Sequence, residues 1–264
     1  MLRGALHVHS TYSDGEFTLA ELRVTLRAAG FRFACVTDHA DWFDGPRLER
    51  YVKECAEQSD ADFLFIPGLE HSCANRMHII GYGLPQLIQT DSPERVIAEI
   101  KRLGGLAVVA HPKNEAFDAI EKFEPLPDGV EVWNTKYDGQ YAPRPGTFAL
   151  LGRLKTRRPD VRAFYGLDLH WRNQNRQLCV DVVSERLDAN ALLSALRRGE
   201  YVATKGRLRL PSTGLLPPEM MGRFERINAR SRRMRGWIGA LKGLVNRAGL
   251  GVPPIVKAQL RRIF

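Results

Sequence analysis

The sequence predicts an α/β fold, with a sheet of parallel strands joined by helices. Two observations carry this. Short apolar runs of strand length alternate with amphipathic stretches of helical length, about seven times along the chain. Polar residues able to bind metal recur just after the apolar runs, where the C-terminal ends of the strands would lie. A closed barrel and a doubly wound open sheet both gather functional groups there, so the alternation alone leaves both architectures open.

The first strand leads into Leu6-His7-Val8-His9-Ser10-Thr11-Tyr12-Ser13-Asp14-Gly15. Residues two apart on an extended segment share a face, so His7 and His9 are expected to project into one space. Residues 18–29 read as a helix: Thr18 and Glu21 form a capping box, Leu19, Leu22, Leu26 and Ala29 an apolar stripe, and Gly30 a stop. Residues 31–37 form a buried strand ending in Asp38-His39. A helix over 46–58 follows, with Pro46 in its first turn. The strand 62–68 ends in Leu69-Glu70-His71, and residues 77–82 are again strand-like. Ser92 caps a helix over 92–103, which Gly104-Gly105 stops. The strands 106–110, 129–133 and 161–166 end in His111-Pro112, Asn134 and Leu167-Asp168-Leu169-His170. Helices are expected over 145–156 and 188–198, the second stopped by Gly199.

The four cysteines, Cys35, Cys55, Cys73 and Cys179, are scattered without a C-x-x-C, which rules out a zinc ribbon and fits a reduced cytoplasmic protein. No secretory leader is expected, and no apolar run reaches the ~18 residues a spanning helix needs. Charge is uneven. Residues 206–264 hold 13 Lys+Arg and 2 Asp+Glu, a balance of +11, against an overall net charge of +9. A nearly neutral domain over 1–205 therefore precedes a cationic extension over 206–264.

Six of the 7 histidines stand at strand ends or on the strand-like 77–82 piece: His7, His9, His39, His78, His111 and His170. Asp14, Asp38, Glu70 and Asp168 accompany them. Histidines placed for packing or solubility would be spread over helices and loops. Imidazole mixed with carboxylate suits zinc, iron or manganese rather than calcium. The donors are too many for one ion, and two or three ions sharing a carboxylate would use them.

The chain resembles the polymerase-and-histidinol-phosphatase (PHP) superfamily of metal-dependent phosphoesterases. The matching motifs are His7-Val8-His9 with Ser13-Asp14-Gly15, Thr37-Asp38-His39, Gly68-Leu69-Glu70, His78-Ile79-Ile80-Gly81-Tyr82-Gly83, Ala110-His111-Pro112 and Gly166-Leu167-Asp168-Leu169-His170. The stretch from Ala195 to Thr204 also looks like that family's last helix and strand. The resemblance covers roughly residues 1–205 and implies a distorted (βα)7 barrel. It implies three sites: His7, His9, Glu70 and Asp168; a bridging Glu70 with His78 and His111; and Asp14, His39 and His170. It implies a trinuclear phosphatase-type hydrolase, with Glu70, Asp168 and His170 at the catalytic centre. A metal-bridging hydroxide would attack phosphorus in line. Asp38 is expected to orient a histidine, and His71 to line the pocket rather than bind metal. Lys113, Arg172, Arg76 and Arg144 lie beside the motifs and are the expected phosphate clamps, the first two foremost.

Beyond Gly206, Pro211, Pro217 and Pro218 mark a linker. Residues 219–246 carry Met220, Phe224, Ile227, Met234, Ile238, Leu241 and Val245 at helical spacing, with Arg223, Arg226, Arg230 and Arg233 on the remaining surface. The expected substrate is a small-molecule or nucleotide phosphomonoester. An exonuclease-like phosphodiesterase using the basic tail on nucleic acid is the alternative, and peripheral contact with an anionic membrane is a further partner expectation. The short spacings between motifs leave no room for a large inserted recognition domain, which favours the first.

Overall fold

Four of the helices in this protein start at a capping side chain: Thr18, Asp44, Ser92 and Asp188. The structure, a computed structural model, describes residues 1–139, 141–174 and 177–247. In chain order the elements are β1 (Leu2–Val8), α1 (Leu19–Ala28), β2 (Phe33–His39), α2 (Gly45–Glu57), β3 (Leu64–Cys73), β4 (Met77–Tyr82), α3 (Pro93–Arg102), β5 (Leu106–Ala110), α4 (Phe117–Ile120), β6 (Gly129–Asn134), α5 (Pro145–Arg157), β7 (Arg162–Gly166), β8 (Cys179–Val182), α6 (Ala189–Arg198), β9 (Tyr201–Lys205), β10 (Leu208–Pro211) and α7 (Pro218–Arg247). Thr18 and Glu21 form the expected reciprocal capping box on α1. Asp44, Ser92 and Asp188 each accept a backbone N–H at the start of α2, α3 and α6.

The strands form one sheet in the order β10-β9-β8-β1-β2-β3-β4-β5-β6-β7. It curls until β1 meets the segment just after β7. The outer edge of β1 is divided between two partners. Leu2, Arg3 and Gly4 pair antiparallel with β8. Leu6 accepts from the Leu167 amide at 2.9 Å, and His9 donates to the Leu169 carbonyl at 3.0 Å. β1 to β7 thus make the barrel, and β8 to β10 peel away from its seam.

The expected all-parallel sheet needs correction. β4 runs antiparallel to both β3 and β5. The link from β3 to β4 is a single 3-10 turn, Ala74–Arg76, too short to carry the chain back for a parallel return. The sheet also continues past residue 205. β10 pairs with β9, and Ser212 accepts from the Ala163 amide at 2.8 Å. Phe224 of α7 is buried, and Asn228 donates to the Pro143 carbonyl at 2.8 Å. The side chains of Leu241 and Val245 lie outside the described residues.

Apolar side chains such as Tyr82 and Phe164, stacked at 5.8 Å, fill the barrel wall and its surroundings. At the C-terminal ends of the strands the buried residues turn polar: His7, His9, Asp38, Glu70, His111, Glu131, Asn134, Asp168 and His170. Burial of so many ionisable groups is costly unless they pair or bind metal.

Candidate metal centre

Three of these residues hold left-handed backbone. His7 has φ 59°, His111 28° and Asp168 49°. Non-glycine residues rarely adopt such angles, and they concentrate where the fold forces a side chain into a functional position. The register of β1 against β2 shifts between Ala5 and Val8, so His7 sits in a bulge. The bulge, rather than simple strand alternation, brings His7 and His9 together, with ring centroids 5.1 Å apart. This corrects the expected extended geometry.

Glu70 lies at the centre. Its Oε1 is 2.8 Å from His78 Nδ1 and 3.0 Å from His111 Nε2. Its Oε2 is 3.1 Å from His7 Nε2 and 3.2 Å from His9 Nε2. Asp168 Oδ1 is 3.6 Å from His7 Nε2, 3.5 Å from His9 Nε2 and 3.1 Å from His170 Nδ1. On the open side, Asp14 lies 3.2 Å from His170 Nε2 and 3.7 Å from His39 Nε2, and its side chain is 42% exposed.

Donor atoms converge in four groups: His9, Asp14, His39 and His170; His7, His9 and Asp168; His7, Glu70 and His111; His39, Glu70 and His78. All nine expected ligands are thus brought together. His7, His9, His39 and Glu70 each reach two groups, so the sets interlock more than the three implied sites do. The donors fit divalent ions. His9 Nε2 and Asp168 Oδ1 are fully buried and face the cluster, and their close contacts to Glu70 and His170 are not aligned as hydrogen bonds, as suits atoms placed to share a cation. Mixed imidazole and carboxylate donors suit transition metals.

Electrostatics agree. Burial alone would raise the carboxyl groups of Glu70 and Asp168, but the surrounding imidazoles, His7 first, hold both well below the usual carboxylate range. Burial takes the His9 imidazole down to about 3. Burial opposes protonation of His170, but its bonds to Asp14 and Asp168 outweigh that and push it up to about 9.

Sequence reasoning missed three residues of this site. Glu131, buried on β6, accepts from His7 Nδ1 at 2.8 Å, from the His111 amide at 2.9 Å and from Asn134 Nδ2 at 2.9 Å. It fixes the His7 tautomer so that Nε2 faces the cluster. Asn134 also donates to Asp168 Oδ2 at 3.0 Å. Gly166 lies against Glu131, where a Cβ would come within 1.9 Å of Oε1. Lys136 brings Nζ to 3.0 Å from His170 Nε2 and 3.6 Å from Asp168 Oδ1, above the rings of Tyr137 and Trp171. The one available signal was a lone glutamate between Val130 and Val132 in an apolar strand, since a glutamate there must be paired.

The other expected residues sit as follows. Asp38 touches no histidine among the described residues. It accepts from the Ser10 amide and hydroxyl, both at 2.8 Å, and from Ser13 Oγ at 2.6 Å. It braces the loop carrying His9 and reaches that ring through Ser13 Oγ, 3.4 Å from His9 Nδ1, so it orients the histidine indirectly. His71 is buried outside all four donor groups and lines a cavity of about 210 Å³ beside Asp41, Phe43 and Ser72. Arg144 is paired with Asp138 and donates to the Pro112 carbonyl at 2.7 Å. Arg172 pairs with Glu21 at 2.5 Å and donates to the Glu16 carbonyl. Lys113 and Arg76 are exposed.

Comparison with known proteins follows the same lines. The PHP domain family matches residues 5–128. An uncharacterized protein of Methanocaldococcus jannaschii is 31% identical over 147 residues, covering 50% of this chain and 82% of that one. The DNA polymerase/3'-5' exonuclease PolX of Bacillus subtilis is 32% identical over 78 residues, 26% of this chain, and the match spans only 14% of that protein. Among solved structures, a two-domain Bacteroides vulgatus protein containing a predicted PHP-like metal-dependent phosphoesterase superposes with TM-score 0.59 at 16% identity, over 79% of this chain and 66% of the other. PsfC from Pseudomonas syringae superposes with TM-score 0.53 at 17% identity, over 89% of this chain and 99% of the other.

Proposed function

Because the chain belongs to the PHP domain family, we propose that it is a metal-dependent phosphoesterase acting on a small-molecule or nucleotide phosphomonoester. The observation that carries this is the buried Glu70 carboxylate, both of whose oxygens face imidazoles, with His9 Nε2 and Asp168 Oδ1 close by and in no aligned hydrogen bond. Residues 1–205 supply the site, with 206–264 as an extension. The four cysteines are free and buried, which suits a reducing cytoplasm.

His7, His9, Asp14, His39, Glu70, His78, His111, Asp168 and His170 would hold two or three ions of zinc, iron or manganese. Bound divalent ions acidify water and polarise phosphoryl oxygens. The chain's own groups do the rest. Glu131 and Asn134 orient His7 and Asp168. Lys136 Nζ, beside His170, is placed to pair with a phosphoryl oxygen and favour the more highly charged transition state. It fits that role better than Arg144 and Arg172, which are engaged by Asp138 and Glu21.

The test is turnover by the full chain loaded with manganese, iron or zinc, against a panel of phosphomonoesters and an oligonucleotide carrying a fluorophore at its 5' end. Release of phosphate from monoesters, abolished in Glu70→Gln, is the expected result. Lys136→Met should lower kcat/KM at least ~tenfold with metal content unchanged. Stepwise loss of nucleotides from the oligonucleotide, with the monoesters untouched, would favour the nuclease reading that the PolX similarity supports. No turnover of any substrate by a fully loaded protein would reject both.

A further inference from the structure

The helix α7 (Pro218–Arg247) has two halves of different character. Up to Asn228 it is docked: Phe224 is 2% exposed, and Asn228 is held by the Pro143 carbonyl. Beyond Asn228 it bears large apolar side chains that the barrel does not cover. Trp237 is 81% exposed and Met234 41%.

The sequence of this second half is strongly patterned. At the α-helical turn of ~100° per residue, Met234, Trp237 and Ile238 fall on one face about 100° wide, in line with exposed Arg230 one turn earlier. Arg232 falls on the opposite side and Arg233 beside the face, and the sequence goes on with leucine, valine, lysine and arginine. Glu225 is the last acidic residue of the chain. An apolar stripe carrying tryptophan, backed by arginine and lysine with no acidic residue, is the pattern of a helix lying in a membrane interface.

We propose that α7 beyond Asn228 lies in the plane of an anionic lipid surface, its apolar face in the acyl boundary and its arginines among the headgroup phosphates. Charge complementarity selects this occupant. A nucleic acid would satisfy the arginines but leave Met234, Trp237 and Ile238 in water. A second copy of the helix would cover the stripe but supply no anion to the arginines, since this stretch holds no acidic residue. Only a lipid surface takes both faces. At ~1.5 Å per residue the undocked half is about 28 Å long, enough to lie flat while the docked half holds the barrel at the surface. The inference does not depend on the proposed hydrolysis, and its test does not read turnover.

The experiment is flotation of the full chain with phosphatidylcholine vesicles, with and without phosphatidylglycerol. The expected result is binding only to the anionic vesicles, weakened by salt, with tryptophan fluorescence quenched by brominated lipid and that quenching lost in Trp237→Phe. The double variant Met234→Glu with Trp237→Glu should lose binding, and Arg232→Gln with Arg233→Gln should weaken it at least ~tenfold. All these side chains are exposed, so an unchanged melting temperature shows that the variants fold. Three results would overturn the proposal: no binding to anionic vesicles, equal binding by the glutamate variant, or retention of an oligonucleotide by a chain that ignores vesicles.

Discussion

Glu131 shows how much of this site lies behind the donors themselves. A single buried carboxylate holds the His7 ring, the His111 backbone and the Asn134 amide. Its loss leaves His7 Nδ1 without its acceptor and free to change tautomer. Glu131→Ala should weaken metal binding by about 10–100-fold, checked by competition with a chelator of known affinity. A second residue, remote in role, offers a pH test. Lys205 Nζ is buried over the Trp133 ring without a hydrogen-bond partner, and burial lowers its pKa to about 8. From pH 8 to about 10.5 the unfolded chain binds a proton that the folded one does not, so stability rises with pH across that window. Lys205→Met should raise the melting temperature at pH 7 and flatten the rise above pH 8. A variant melting lower than the parent at pH 7 would contradict this.

The elements outside the barrel are fastened by few groups. α7 is anchored through Phe224 and Asn228, and β10 through its pairing with β9 and the Ser212 carbonyl. Phe224→Ala removes a fully buried ring and should cost about 3–5 kcal/mol by denaturant titration, while metal content in the folded protein stays the same. At this scale the sequence was informative wherever a local rule decides. The capping box at Thr18 and Glu21, the caps at Ser92 and Asp188, and the left-handed Gly199 all stand where local chemistry places them. Strand direction is not a local property, so β4 could be recognised but not oriented. β8 and β10, four residues each, are too short to show a period. The nine donors were legible because polar residues at strand ends stand out against apolar runs. The bulge at His7 was not, because no residue there announces a left-handed backbone.

For the molecule as a whole, the cluster of buried imidazoles and carboxylates is held together most firmly when ions fill it. A ligand bound at ~1,000 times its Kd adds about 4 kcal/mol to folding stability. Chelation should therefore lower the melting temperature by about 10 °C, and returning manganese or zinc should restore it. An unchanged melting curve would show that the donors do not bind these ions. The divided edge of β1 has a consequence for how such a protein comes into being. His7 and His9 belong to the first strand, yet they are completed by Asp168 and His170 across the seam where Leu6 and His9 bond to Leu167 and Leu169. While the ribosome is still adding residues before position 168, the emerging chain can offer only a partial binding set. Two of the four donor groups, His7 with Glu70 and His111 and His39 with Glu70 and His78, are complete in sequence by residue 111. If ions bind as proposed, those groups that use Asp168 or His170 would fill last, from whatever free ion surrounds the finished barrel.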